Sequence, residues 1–455
     1  MAGGASPGQG GAGCHRQRAS VGLVGRMSEP SKWLVLRRLL RPEAPPEDMD
    51  LYVKPEHGCA DAIVRGLLRD PATNPKFLLV GARGGGKSTE LRAIRRGLGD
   101  HLVVTEIDLD RSGVAAASVT ALDLLYISAL ALLRHLPTEE AKPLFDRLKQ
   151  AYGEADADSL GDLPTALDGV AGFAMAAGGV ALAAGAAAGG APLIAGGLAV
   201  FATALRLLPG RRQVVAESSP LGRQVQSAAV EIARAVRTHL DGRPLCVLID
   251  GLEKMNGQSA ERFDEVFCHT RLLADPPWSA VIAAPPCTLT HTNSARPLGF
   301  DTRTVWGFNP DDSAALLNML ELRFRAAGLE PDEVAAAGTL TGMVAASGGM
   351  PRDAVQMVRD AVSRVLDDQR ALLTMDDAGE GIRSVAYALG AGLREDDLEA
   401  LWHLYTTKKM RGDEVAATLF SNGRILAYPP APGSVMSRFA VHPLLVPDVE
   451  RLGER

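Results

Sequence analysis

Residues 77–98 read FLLVGARGGGKSTELRAIRRGL, and the fold follows from this stretch. Residues 77–80 form an apolar run of strand length, and the apolar positions Leu91, Ile94 and Leu98 recur at helical spacing. Between them residues 81–88 fit G-x-x-x-x-G-K-[ST], the pattern of a phosphate cradle. Gly81, Gly84, Gly85 and Gly86 let the backbone take left-handed turns and bring N–H groups against phosphate oxygens where a Cβ would intrude. Lys87 supplies a cation for the β- and γ-phosphates, the Ser88 hydroxyl a magnesium ligand and Thr89 an α-phosphate contact. The positive end of a helix starting near Lys87 favours the same anion. Strand, loop and helix together imply an α/β domain: a parallel P-loop sheet with helices on both faces, binding a nucleoside triphosphate with Mg2+.

A hydrolytic site of this kind also needs an acid at the end of another strand. Residues 246–255, CVLIDGLEKM, supply it: Asp250 closes an apolar run and is placed to hold magnesium through water, and Glu253 is placed to polarise an attacking water. No N-K-x-D guanine-reading motif occurs, so ATP is preferred to GTP. Residues 347–361, SGGMPRDAVQMVRDA, read locally as a helix start, with Pro351 in the first turn and Asp353 near the positive end.

The D-G-L-E arrangement resembles the second acidic motif of the STAND and KAP P-loop ATPases, members of the ASCE division. The S-G-G-M-P-R segment resembles the opening of the helical lid in STAND proteins and in the related origin-recognition branch of AAA+ ATPases. That resemblance implies a catalytic set of Lys87, Asp250, Glu253 and Arg352, with Arg352 as a sensor near the γ-phosphate and Pro351 bordering the adenine. Two positions depart from it. Gly251 stands where AAA+ proteins usually carry a glutamate. The strand expected at residues 279–286 ends in Ala283 and Ala284, where a polar sensor is common, so slow turnover is expected. Arg296 and Arg303 fall roughly where a trans-acting arginine would sit.

At 455 residues the chain is too long for one ordinary core. The expected units are a weakly structured tail (1–45), an ATPase core (46–310) carrying an inserted apolar hairpin (165–209), a helical lid (311–385) and a winged-helix-like end (386–455). Within the tail, KWLVLRRLLRP (residues 32–42) reads as a short basic amphipathic helix docked on the core, with membrane contact as the alternative. Between Gly169 and Leu205 no charged residue occurs. Two helices of about 17 residues would fit there, turning near Gly189, Gly190 and Pro192; the readings are a hairpin inserted in a membrane, a hairpin packed on protein or in an oligomer, and a poorly ordered segment. KAP-type ATPases carry membrane insertions at this point, and that resemblance favours the first reading.

Near the end, one helix, then another, then RILAY and RFAVH as strands give the order of a winged helix. Lys408, Lys409, Arg411, Arg424 and Arg438 are candidates for a phosphate-facing surface, and His442 reads as a packed histidine. A net charge of −6 gives the whole chain no electrostatic pull toward nucleic acid. Five scattered cysteines without C-x-x-C spacing argue against a disulfide framework. These readings imply a cytoplasmic ATP-driven switch or small motor, associated with the inner face of the membrane through the hairpin and able to form a homo-oligomer. The alternatives are a DNA-associated ATPase using the winged helix and a nucleotide-locked assembly scaffold with negligible turnover.

Overall fold

The computed structural model describes residues 29–109, 119–157, 220–252, 260–268, 270–286, 297–309, 313–430 and 437–453. Glu253, Arg296, the apolar hairpin at 165–209 and the first 28 residues lie outside the described residues.

Strands β1 (Lys76–Val80), β2 (Val103–Asp108), β3 (Leu245–Asp250), β4 (Ser279–Ala284) and β5 (Asp301–Thr304) form one parallel sheet in the order β2-β3-β4-β1-β5. Apart from Lys76, Asp250 and Ser279 at their ends, the central strands are apolar because both faces are covered, and the period of two sorts their side chains between two cores. Phe77, Leu79, Cys246, Leu248, Val281 and Ala283 face one way. Leu78, Val80, Val247, Ile249, Ala280 and Ile282 face the other.

Helix α1 (Glu29–Leu39) precedes the sheet. On the first face lie α2 (Ala60–Arg69) and α3 (Lys87–Leu98), which bury Ile63, Leu67, Leu91, Ile94 and Leu98. On the second lie α4 (Ala121–Leu132), α5 (Thr138–Ala157), α6 (Pro220–His239) and α7 (Ala260–Phe267). Every residue of α4 is buried, Asp123 and Ser128 included, which explains why its apolar residues run round the helix where a surface helix would carry one stripe.

Lys76, at the amino end of β1, is 4% exposed, and its ammonium donates to the carbonyls of Pro276 (2.9 Å) and Trp278. Burial is the main reason its pKa falls to about 7. An unfolded lysine titrates near 10.4, so between those values the unfolded chain binds more protons and stability must rise with pH. Urea unfolding followed at pH 7 and pH 9.5 should show this gain, on the order of 3 kcal/mol, in the natural protein and its loss in Lys76→Met. Equal pH dependence in the two proteins would remove Lys76 as its source.

After the sheet come α8 (Ala314–Ala326), α9 (Pro331–Val334), α10 (Thr339–Ala346), α11 (Pro351–Asp367) and α12 (Met375–Gly390), which enclose a core of their own and form the helical lid. From residue 29 the expected weakly structured tail is replaced by α1, whose Trp33 and Leu36, with Leu40 just after it, are 0–1% exposed within this core. Trp33 meets Phe324 edge to face, with ring centroids 6.2 Å apart. The apolar stripe of KWLVLRRLL thus finds its cover on the lid helices, about 290 residues away in the chain, where no local pattern could point. Helix α12 begins with a capping box from Thr374 to Asp377, and Arg370 grips the buried Asp377 carboxylate through two bonds of 2.6 and 2.7 Å. That guanidinium, with the Thr374 bonds, holds Asp377 well below the usual carboxylate range.

The C-terminal unit has the winged-helix order: α13 (Glu395–Thr407), α14 (Glu414–Ser421), then β6 (Ile425–Tyr428) antiparallel to β7 (Arg438–Val441), closed by α15 (Val446–Gly453). His442 is fully buried, accepting from the Leu444 N–H (3.2 Å) and lying 3.3 Å from Asp353 of α11. Among the described residues no helix is long and apolar enough to cross a membrane.

Candidate functional site

The loop of residues 81–86 leaves the carboxyl end of β1 and delivers the chain into α3. Gly84 and Gly86 have φ of +85° and +101°, the left-handed region a side chain resists. A Cβ on Gly81 would stand 2.5 Å from the Val305 carbonyl, the chain just past β5, and one on Gly84 would stand 2.9 Å from the Arg352 Cβ. The glycines therefore serve two purposes: they set the curl of the loop and let the neighbouring chain approach it. Lys87 is 4% exposed, and its ammonium donates to the Gly81 (2.8 Å) and Ala82 (3.1 Å) carbonyls of its own loop.

Asp250 ends β3, two strands from β1 with β4 between them, about 10 Å across the sheet. Its carboxylate accepts from the Gly251 N–H at 3.0 Å. Gly251 has φ +99°, which gives the physical reason no acid stands directly after Asp250: a glutamate there would be strained. Asp108 lies opposite Asp250 in register, a second carboxylate on the same edge. The end of β4 is closed by Ala283 and Ala284, both fully buried, so that strand offers no polar side chain to the site. Ser88 and Asp250 each carry an oxygen donor of the type magnesium takes; Ser88 lines the cleft described next, and Asp250 is not among its lining residues.

An open cleft runs from this loop to the lid. One end is lined by Gly84, Gly85, Gly86, Lys87, Ser88 and Thr89, and the other by Leu51, Val53, Phe308, Met319 and Val355. Pro351 and Arg352 border it from the start of α11, whose N-cap is Met350. The Arg352 Nε donates to the Pro42 carbonyl at 3.1 Å, so in this state the guanidinium holds the strap of residues 41–55 that walls the cleft. Arg92 of α3 holds the same strap through the Pro46 carbonyl (2.6 Å), and Arg359 pairs with Glu43 (3.2 Å).

Several residues at this site carry no sequence signal. Glu90, 2% exposed in the first turn of α3, accepts from Tyr52 (2.7 Å) and from the N–H groups of Cys59 (3.0 Å) and Ala60 (2.8 Å). One carboxylate thereby caps α2 and pins the strap to the helix that carries Lys87. Burial, and then Glu90 beside it, push the Cys59 thiol far above its ordinary range, which makes it an inert buried group. Ala82 of the loop and Met350 belong to the core of the C-terminal unit, with Leu401, Leu404, Phe420 and Leu426. The winged-helix-like end therefore rests on the phosphate loop itself.

The proposed basic surface is largely committed elsewhere. Arg424 donates to the Leu389 (2.9 Å) and Ala391 (2.7 Å) carbonyls that end α12, Arg411 pairs with Asp413 (2.6 Å), and Arg438 donates to the Pro429 carbonyl (3.2 Å). Lys408 lies over the Tyr405 ring, 4.7 Å from its centroid. Arg303 pairs with Asp301 within β5.

Strand order, loop and following helix define a P-loop α/β fold with a helical lid and a C-terminal winged-helix-like unit. No protein-family model matches the chain, and no curated protein is similar to it in sequence. Among solved structures, the Aeropyrum pernix ORC2 protein in its ADPNP–ADP complexes aligns over 92% of this chain and 99% of its own, at 14% identity and a TM-score of 0.40. Drosophila ORC bound to DNA aligns over 99% and 96%, at 12% identity and 0.38. Cdc6p from Pyrobaculum aerophilum aligns over 92% and 98%, at 12% identity and 0.38. These scores are low, and the fold class rests on the strand order and the loop.

Proposed function

We propose that this chain binds ATP with Mg2+ at the loop of residues 81–89 and hydrolyses it slowly, acting as a nucleotide-dependent switch. The observation that carries the reading is the convergence of two separate parts of the chain on the loop that ends at Lys87: the lid, through Arg352 against Gly84, and the C-terminal unit, whose core takes in Ala82. A triphosphate that reorganises this loop must be felt by both neighbours, because each packs on it directly. Lys87, Ser88 and the loop amides hold the phosphates, Ser88 and Asp250 hold magnesium, Pro351 borders the adenine, and Glu253 activates water. Arg352 exchanges the Pro42 carbonyl for the γ-phosphate as the lid closes. Bound magnesium supplies charge neutralisation at the β- and γ-phosphates.

Contact with DNA draws little support from the C-terminal cations, since Arg411, Arg424 and Arg438 already have protein partners. The apolar hairpin at 165–209 as a membrane anchor, and self-association, are proposals that rest on the sequence alone. Calorimetry of the full chain with ATP, with and without magnesium, together with phosphate-release kinetics, tests the central reading. Magnesium-dependent affinity and slow release, reduced at least about tenfold in Asp250→Asn, are expected. Binding without any release would favour a nucleotide-locked scaffold, and no binding would overturn the proposal.

A further inference from the structure

The lid contributes to the cleft a buried cation that the phosphate-binding machinery does not use. Arg323 lies on α8 one turn after Met319, so the two share a helix face, and both line the cleft at its apolar end with Leu51, Val53, Phe308 and Val355. Arg323 is 6% exposed. Its Nη1 donates to the Met319 carbonyl at 2.7 Å, while its Nε is sealed from water and has no acceptor among the described residues. Burial pushes its pKa down to about 10, which leaves it a cation at neutral pH, and no carboxylate pairs with it among the described residues. A guanidinium nitrogen sealed without an acceptor is costly to keep, and Nη2, which is not sealed, is the nitrogen that a molecule in the cleft can reach.

The position decides what completes it. A triphosphate anchored on Gly84 to Thr89 fills the polar end of the cleft, so the apolar end receives the base. Resting on the nucleotide reading above, we propose that Arg323 reads the base of the bound nucleotide, donating a hydrogen bond to a ring nitrogen of the adenine. The purine ring lies among Val53, Phe308, Met319 and Val355, which supply contact without selectivity, and Arg323 supplies the directional donor. A site with such a donor discriminates against a ligand lacking the acceptor, because the buried group is then left unpaired.

The test uses the full chain and atom-by-atom changes in the ligand. Calorimetry compares ATP with 1-deaza-, 3-deaza- and 7-deaza-ATP, each carrying C–H in place of one ring nitrogen, and with 2′-deoxy-ATP and inorganic tripolyphosphate. The natural protein should bind one deaza analogue about tenfold more weakly than ATP. Arg323→Met, close in shape and uncharged, should lose about the same factor toward ATP and become indifferent to that analogue. Arg323→Lys should keep part of the discrimination. Tripolyphosphate should bind the natural protein and Arg323→Met alike, and should be lost in Lys87→Ala. If Arg323→Met fails to fold, the deaza series on the natural protein decides. Equal affinity for ATP and all three analogues, or sensitivity to the missing 2′-hydroxyl alone, overturns the inference while tripolyphosphate binding keeps the nucleotide site. Loss of ATP and tripolyphosphate binding in the natural protein overturns both.

Discussion

Replacing Lys87 with alanine is expected to weaken ATP binding at least about 100-fold, a loss of roughly 3 kcal/mol. Lys87 is 4% exposed, and its ammonium sits on the Gly81 and Ala82 carbonyls, held by its own loop where the phosphates arrive. Its desolvation is therefore already met in the folded chain, and what remains on binding is the attraction to phosphate in a site largely shielded from water. Backbone amides and the helix end cannot replace a full charge there. Arg83 provides the control. It occupies a variable position of the same loop, is exposed and does not line the cleft, so Arg83→Ala should change the affinity less than about threefold if local geometry, not general charge, governs binding. Calorimetry with magnesium and ATP decides it. Undiminished affinity in Lys87→Ala would show that the phosphates are held elsewhere.

Much of the sheet domain is legible from local pattern. The run FLLV becomes β1, LCVLID becomes β3 with Asp250 at its end, and the helix opened by Pro351 starts where the proline places it. RILAY and RFAVH become the paired strands β6 and β7. These succeed because a strand buried on both faces, a glycine-rich cradle and a helix start each leave their requirements in consecutive residues. What escapes the sequence is what depends on chain segments hundreds of residues apart. The Arg352–Pro42 bond spans 310 positions, and nothing near either residue announces the other. Trp33 reads as part of a surface helix until the lid supplies Phe324. Glu90 reads as an exposed first-turn acid until Tyr52, Cys59 and Ala60 surround it. Arg323 reads as an ordinary cation on an amphipathic helix, and only the cleft makes its burial informative. Arg424 and Arg438 read as a basic surface because charge is visible in a sequence and carbonyl partners are not.

The other large effect is expected at Gly349, where the lid joins the sheet. Gly349 has φ +83°, and a Cβ placed on it would stand 2.0 Å from the Phe308 carbonyl oxygen, far inside contact distance. The same approach lets the Phe308 N–H donate to the Gly349 carbonyl at 2.9 Å, tying the chain that leaves β5 to the chain that enters α11. Gly349→Ala therefore carries three costs: the left-handed conformation, about 1 kcal/mol; the lost hydrogen bond, about 1 kcal/mol; and the clash, which only a backbone displacement relieves. The sum is expected to exceed about 4 kcal/mol, among the larger losses a single substitution produces. Gly338 separates these contributions. Its φ is +80°, but nothing lies within 4 Å of its Cβ position, so Gly338→Ala should show the conformational cost alone. Because Pro351 and Arg352 lie two and three residues after Gly349 and Arg352 packs on Gly84, displacing this junction also moves the lid off the phosphate loop. Gly349→Ala should thus lower the thermal midpoint, open the lid to limited proteolysis and weaken ATP binding together. Gly338→Ala should lower the midpoint slightly and leave ATP affinity intact. A Gly349→Ala protein with unchanged proteolysis and affinity would mean that the lid and the loop are not mechanically joined at this residue, and the switch would have to run through Ala82 and the C-terminal unit instead.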